Sequence, residues 1–377
     1  MDLDLTADQK LFRTTSKKFL DTETPLTRVR ELSESAEGFD RDWWSRGAEL
    51  GWAAMLVPEE LGGGSVSGEG LADLAIVAEE MGRMVTPGPL IATNVVIAGL
   101  VAARETGGPG HSADIERLAA GEAVATWAVY EPGTQWRPGR PGVTARAGGD
   151  GYVLDGVKDR VEAAGQADLL LVTAGTEDGP LQFLVETTAP GVTVTPSDGL
   201  DLVRRFGQVR LDGVTAGRDA VVGTPRSTPE ILERQLQVAL VLQCAETCGA
   251  IDRVFEFTVQ WAFDRYSFGR PLASYQALKH RFADMRTWLE ACHATTGAAA
   301  RAVQAGAADA AELVSVAKAY VGARATEIVQ DCVQLHGGIG VTWEHDLHLY
   351  LRRVTVNRAL YGTPDDHRRR IADLLEV

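Results

Sequence analysis

Apolar positions recur with a helical period over the first third of the chain, with period two over the middle, and with a helical period again to the end. Residues 1 to about 121 read as helices. Thr6 and Gln9 form a capping box ahead of the first. Trp43, Trp44, Leu50 and Trp52 fall at near-helical spacing and read as core. A turn-rich break follows at 57–64, then a helix from Leu71 to Met84 closed by Thr86-Pro87-Gly88-Pro89. From about 122 the pattern predicts short strands at 125–130, 152–154, 169–172 and 183–185, separated by Gly-, Asp- and Pro-rich turns. Strands at this spacing predict an antiparallel β unit, a sandwich or small barrel, ending near Pro225. Thr228 as N-cap and Pro229 at N1 open the next helix. Leu313, Val316, Ala317 and Tyr320 predict one buried helical face. Small residues (Ala298 to Ala300, Ala307, Ala308, Ala310, Ala311) allow close helix contact, and four long helices suggest a bundle. The expected class is α+β in three parts: helices over 1–121, antiparallel strands over 122–225, a four-helix bundle over 226–377. The 105–115 stretch reads as a flexible connector.

The 377 residues suffice for two or three units sharing a large core. A net charge of -15 argues against nucleic acid and anionic membrane surfaces as partners. The N-terminus is acidic and lacks an apolar signal core, and the longest apolar run, Val95 to Ala103, is too short to span a bilayer. Cys244, Cys248, Cys292 and Cys332 lie in apolar helix-like segments, without zinc-type spacing, and read as buried free thiols. These features predict a cytoplasmic protein.

The chemistry concentrates in the stretch from Trp261 to Met285. Its turn, Arg265-Tyr266-Ser267-Phe268-Gly269-Arg270-Pro271, offers guanidinium groups suited to phosphate or carboxylate and a ring suited to stacking. A second motif, Gln334-Leu335-His336-Gly337-Gly338-Ile339-Gly340, has glycines that let backbone approach a ligand or close a helix. The first stretch resembles the acyl-CoA dehydrogenase signature RxxFGxxLxxxQ, and with the second motif the pair is specific. The resemblance implies an FAD-dependent α,β-desaturation of an acyl-CoA thioester, with an electron-transfer flavoprotein as acceptor. It implies that Arg265, Phe268, Gln276 and the Gln334, Leu335, His336, Gly337, Gly338 turn reach an FAD held by a neighbouring subunit. His336 itself reads as a packing or backbone-bonding residue. The flank from Trp343 to Arg353 looks most like bacterial members acting on bulky acyl-CoA thioesters, such as steroid side chains.

Other positions depart from the family. Its reaction needs a carboxylate base that is anionic at neutral pH; a Glu with a pKa of about 4.3 serves, a Tyr at about 10 does not. Tyr361 occupies the usual Glu position and Ala239 the alternative one. Two flavin- or substrate-contacting hydroxyl positions read Tyr130 and Trp136, and the Trp and Thr that line the flavin read Arg160 and Glu162. Glu162 would set an anion beside a ring that becomes anionic on reduction. Asp365 and Asp366 read as a solvated acidic turn, and Arg137, Arg140 or Arg160 could fill the flavin space or pair with Glu162. The expectation is a non-catalytic subunit of an α2β2 acyl-CoA dehydrogenase, completing the FAD site of a homologous Glu-bearing subunit. The alternatives are an active homotetramer with Tyr361 or Glu162 as base, and a flavin-free scaffold or acyl-CoA-binding module.

Overall fold

The computed structural model describes residues 5–35, 37–133 and 136–377. Six helices come first: α1 (Ala7–Glu23), α2 (Leu26–Glu34), α3 (Arg41–Glu49), α4 (Gly70–Met84), α5 (Leu90–Glu105) and α6 (Ser112–Ala119). The capping box forms as expected: the Gln9 amide donates to Thr6 Oγ1 at 3.2 Å and the Thr6 amide to Gln9 Oε1 at 3.0 Å. Trp43, Trp44 and Trp52 are buried, although α3 ends before Trp52, whose indole N–H donates to Ser16 Oγ. The expected 105–115 connector is shorter than predicted. It is bounded by α5 through Glu105 and by α6 from Ser112, and His111 Nε2 meets the Val221 carbonyl at 3.0 Å.

Eight strands follow: β1 (Ala125–Ala128), β2 (Thr144–Gly148), β3 (Gly151–Glu162), β4 (Leu169–Thr176), β5 (Gly179–Glu186), β6 (Val192–Ser197), β7 (Phe206–Gly217) and β8 (Val221–Val222). They form one sheet in the order β6-β7-β3-β2-β4-β5-β8, with β1 beside β4. Pairing is antiparallel except that β4 runs parallel to both β1 and β2. Alternation divides β4 between two cores: Leu169 and Leu171 join the helical core, Leu170 and Val172 the sheet's own. The sheet thus packs against the helices while enclosing a second apolar layer.

The C-terminal part contains α7 (Thr228–Asp264), a two-stranded hairpin of β9 (Tyr266–Ser267) and β10 (Arg270–Pro271), then α8 (Gln276–Gln304), α9 (Ala310–His336), α10 (Leu347–Ala359) and α11 (Pro364–Leu374). Three of these helices are long; the short α10 and α11 complete the bundle against α9. Ser227, not Thr228, is the N-cap of α7, which moves Pro229 one position inward. The Thr224 side chain accepts the Ser227 amide at 3.1 Å, so the turn before the helix takes over the cap's role. On α9 the buried stripe is Val314, Ala317, Val321, Ala325 and Ile328; Leu313, Val316 and Tyr320 are half-buried at its margin. The helix packs on neighbours from several sides, so the buried face turns away from the face the spacing suggested.

α4 and α7 cross with almost no gap. A Cβ on Gly82 would stand 1.8 Å from the Glu246 carbonyl oxygen, and one on Gly249 1.8 Å from that of Glu79. Only glycine permits the approach. Among the described residues no helix is long and apolar enough to cross a membrane.

Candidate functional site

The sheet meets the helical core where β1 runs out, and aromatic rings fill the junction. Trp127 stacks on Tyr361 with centroids 6.2 Å apart, Tyr130 lies 6.0 Å from Tyr361, and Trp136 lies 5.0 Å from Tyr130 and 6.2 Å from Tyr361. The strand stops at Ala128, two residues short of the predicted end, which frees Tyr130 to turn into this cluster. The Tyr361 amide donates to Tyr130 Oη, and the Tyr361 carbonyl accepts from His367 Nε2 at 2.8 Å. Tyr361 is left-handed at φ 58 and only 5% exposed. Gly362 follows at φ 95, and a Cβ there would meet His367 Nε2 at 2.9 Å and Trp136 Cδ1 at 3.2 Å. Lys318, buried, donates to the carbonyls of Asn357 and Leu360 and to Gln243 Oε1, fixing the chain just ahead of Tyr361. Burial lowers the Lys318 ammonium to about 7 and the His367 imidazole to about 4, and raises both tyrosines, Tyr361 strongly.

A buried ion cluster adjoins the rings. Glu162 Oε1 is 2.9 Å from Arg204 Nε, Arg204 Nη2 is 3.0 Å from Glu246 Oε2, and Arg353 Nη1 is 2.7 Å from Glu246 Oε1. Arg353 also pairs with Asp201, and Asn357 donates to Glu246 Oε2 at 2.8 Å. The members come from β3, the loop before β7, α7 and α10, so the cluster ties the sheet to two helices. Burial raises Glu162 by more than the Arg204 charge lowers it. Asp201 goes the other way: burial pushes it up, but the Arg353 charge and hydrogen bond outweigh that and hold it low. The space beside Glu162, Arg204 and Arg353 is about 20 Å³, room for about one water but not for a ring.

Arg204 is therefore the partner of Glu162. Arg160 instead lies over the Tyr130 ring at 5.2 Å and donates to the Glu131 carbonyl at 2.8 Å. Arg137 and Arg140 make no ion pair with Glu162 among the described residues; Thr134 and Gln135 of the same segment lie outside them. Ala239, the alternative base position, is sealed in α7 at 0% exposure. Asp366 closes a capping box with Thr363, and Asp365 pairs with Arg368, so both serve α11. Sequence reasoning missed Asp201, Arg204, Glu246, Lys318, Arg353, Asn357 and His367. The detectable signal was polar and ionic residues interrupting apolar helical stretches, as Glu246 and Lys318 do.

The second surface faces outward. The hairpin turn puts Phe268 at φ 50 and 97% exposed, with Gly269 at φ 79. Arg265 and Gln276 are exposed beside it. The Trp261 indole N–H donates to the Leu335 carbonyl at 3.2 Å and the Arg265 guanidinium lies 5.9 Å from the Trp261 ring, so the two sequence motifs meet at this residue. His336 is buried, stacked on Trp261 at 5.2 Å, its Nδ1 on the Cys332 carbonyl at 2.8 Å: a packing and backbone-bonding residue. Gln334, Gly337 and Gly338 are exposed and Leu335 half-buried. Arg265, Gln276 and the exposed Gly turn can offer donors to an anionic ligand, and Phe268 a flat face, from outside the chain.

A helical–β–helical chain with this pair of surface motifs has the architecture of the flavin-dependent acyl-thioester oxidoreductases. Family models described as acyl-CoA dehydrogenase N-terminal domain and C-terminal domain match residues 6–126 and 230–375. The chain belongs to the acyl-CoA dehydrogenase family. It is 31% identical to acyl-CoA dehydrogenase IpdE2 of Mycobacterium tuberculosis, over 97% of this chain and 96% of that one. Among solved structures it is similar to a Tcur3481-Tcur3483 steroid ACAD variant, at 29% identity and TM-score 0.87, covering 98% of this chain and 97% of that one. It is also similar to the ChsE4-ChsE5 complex from Mycobacterium tuberculosis, at 26% identity and TM-score 0.87, covering 100% and 99%.

Proposed function

We propose that the chain is the non-catalytic subunit of a heteromeric, FAD-dependent acyl-CoA dehydrogenase. A homologous Glu-bearing subunit holds the flavin ring and the substrate, and this chain completes the outer part of that site. The observation that carries the reading is the filled junction: Tyr361, at the base position, is buried, bonded to Tyr130 and packed among Trp127 and Trp136. These residues occupy the junction with one another, which supports the reading, and no catalytic step is assigned to this chain. Neither relocated base suits proton abstraction. Burial holds the Tyr361 phenol well above its ordinary value, and Glu162 is occupied by the Arg204 guanidinium at 2.9 Å.

When bound in the partner, FAD supplies the hydride acceptor, and an electron-transfer flavoprotein would draw off the electrons. Arg265, Phe268 and Gln276 would hold the diphosphate and adenosine end of the FAD, and the Gln334–Gly338 turn would touch the same cofactor. The three parts, 1–121, 122–225 and 226–377, would keep the family frame that presents these groups. Similarity to a steroid ACAD supports a bulky acyl-CoA as the complex's substrate. Four buried free cysteines accord with a cytoplasmic setting.

Visible absorbance of the purified chain, alone and co-expressed with a Glu-bearing homologue, tests the reading. The chain alone should carry no flavin band and no dehydrogenase activity; the complex should carry half as many flavins as chains. A flavin-loaded, active preparation of this chain by itself overturns the proposal.

A further inference from the structure

The hairpin that carries Phe268 is strained and short, yet it is held in one shape. Both residues of its two-residue turn, Phe268 and Gly269, have positive φ. Glycine or asparagine suits such a turn; a phenylalanine in left-handed backbone does not. The side chain recovers nothing by packing, since it is 97% exposed. A non-glycine residue persists in that region only when its surroundings over-determine it.

The bracing comes from one residue. The Tyr275 hydroxyl donates to the Ser267 carbonyl at 2.7 Å, across the mouth of the turn. The Arg270 guanidinium carbon lies 3.8 Å from the centroid of the Tyr275 ring. Ser267 and Arg270 are register partners in the hairpin, so Tyr275 grips both strands at the same rung. A second tie, the Leu272 amide to the Arg265 carbonyl at 2.9 Å, closes the base of the hairpin. Tyr275 is also the N-cap of α8, immediately before Gln276. One residue thereby joins the hairpin to α8: its side chain grips the turn presenting Phe268, and its backbone carbonyl accepts the Lys279 amide at 3.0 Å at the start of the helix that begins with Gln276.

We propose that Tyr275 is a positioning residue for nucleotide recognition, with Arg270 as its stacking partner. It holds Phe268 and Arg265 in the outward geometry that a neighbour's dinucleotide requires, so that no ordering cost falls on binding. The proposal rests on the shared-FAD reading above. Arg270 is thus spent on Tyr275 rather than aimed at phosphate, which distinguishes it from Arg265.

The test compares Tyr275→Phe, Tyr275→Ala and Arg270→Ala in the complex co-expressed with a Glu-bearing homologue. FAD is titrated into the flavin-stripped complex and followed by fluorescence, amide hydrogen exchange is followed over 265–271, and thermal unfolding of each variant serves as control. Tyr275→Ala should speed exchange in the turn and weaken FAD about tenfold, with the KM for acyl-CoA and the unfolding temperature unchanged. Tyr275→Phe keeps the ring under Arg270 and should recover part of the affinity. Unchanged exchange in Tyr275→Ala overturns the positioning role. Faster exchange with unchanged FAD affinity shows that the hairpin does not serve a partner's cofactor, and overturns the shared-site reading instead. If Tyr275→Ala lowers the unfolding temperature, Tyr275→Phe and Arg270→Ala decide by the same two criteria.

Discussion

The filled junction and the exposed hairpin treat aromatic and ionic groups in opposite ways. At the junction, Tyr130, Trp136 and Tyr361 satisfy one another, and Arg204 and Arg353 are consumed by Glu162, Glu246 and Asp201. At the hairpin, Phe268 stands in solvent on strained backbone and Arg265 is exposed. The first arrangement is largely closed on itself, although Glu162 Oε2, Trp127 Nε1 and His367 Nδ1 are buried without a hydrogen-bond partner among the described residues. The second leaves its ring and guanidinium without burial, and under the function proposed above they meet a neighbour's cofactor. Within one chain, the same residue types are buried with partners in one place and exposed in the other, and that difference is what assigns structure to the first and, in the proposed function, recognition to the second.

The comparison can be broken most forcefully at the ion cluster. Arg353→Ala removes one of two buried guanidinium groups and leaves Asp201 and Glu246 under-compensated. Urea denaturation should show a loss of about 3–5 kcal/mol. A loss below about 1 kcal/mol would mean that the junction is wet and open to ligands, against the reading here.

The next lever is pH, through His367. Its Nδ1 is buried without a hydrogen-bond partner among the described residues, and burial lowers its folded pKa to about 4, against about 6.5 when unfolded. Between those values the unfolded chain binds the extra proton. The contribution of this group is therefore intact above pH 6.5 and is lost as pH falls toward 4, by up to about 3 kcal/mol. His367→Gln should flatten that acid limb in stability curves measured from pH 7 to 4.5. His293 has the opposite sign: burial lowers its pKa, but the Asp252 hydrogen bond and Glu79 charge outweigh that and raise it, so its contribution fades as pH rises. Subtracting the His367→Gln curve from that of the native chain cancels it.

The smallest effect on the chain sharpens the contrast most. Phe268→Ala should leave thermal stability of the isolated chain unchanged, because the ring buries nothing. In the complex it should weaken FAD about tenfold, or about 1.4 kcal/mol. A destabilised chain with unaltered FAD affinity would reverse the roles assigned to the two regions.

Much of the frame was legible in the sequence because period and punctuation carry it. The Thr6–Gln9 box, the buried tryptophans and the switch from helix to strand near Val124 all depend on local spacing. The surface motifs were legible for the same reason: each is a contiguous run, although their meeting at Trp261 is not. The junction's chemistry was only half legible. Replacement of expected side chains by Tyr130, Arg160, Glu162 and Tyr361 is visible one position at a time. That Glu162 pairs with Arg204, and that Glu246 links it to Arg353, depends on four segments brought together by tertiary packing. The parallel pairing of β4 with β1 and β2 is a similar case, since alternation reports which face a residue takes but not which strand lies beside it.

The crossing of α4 and α7 has a bearing on where the hairpin stands. Where Gly82 and Gly249 bring two backbones into contact, even a methyl group would act as a wedge. A side chain at either position would have to part the two helices, so the crossing sets how the amino-terminal layer sits on α7. The hairpin follows directly on the end of α7, so its place on the surface is anchored through the same glycine contact.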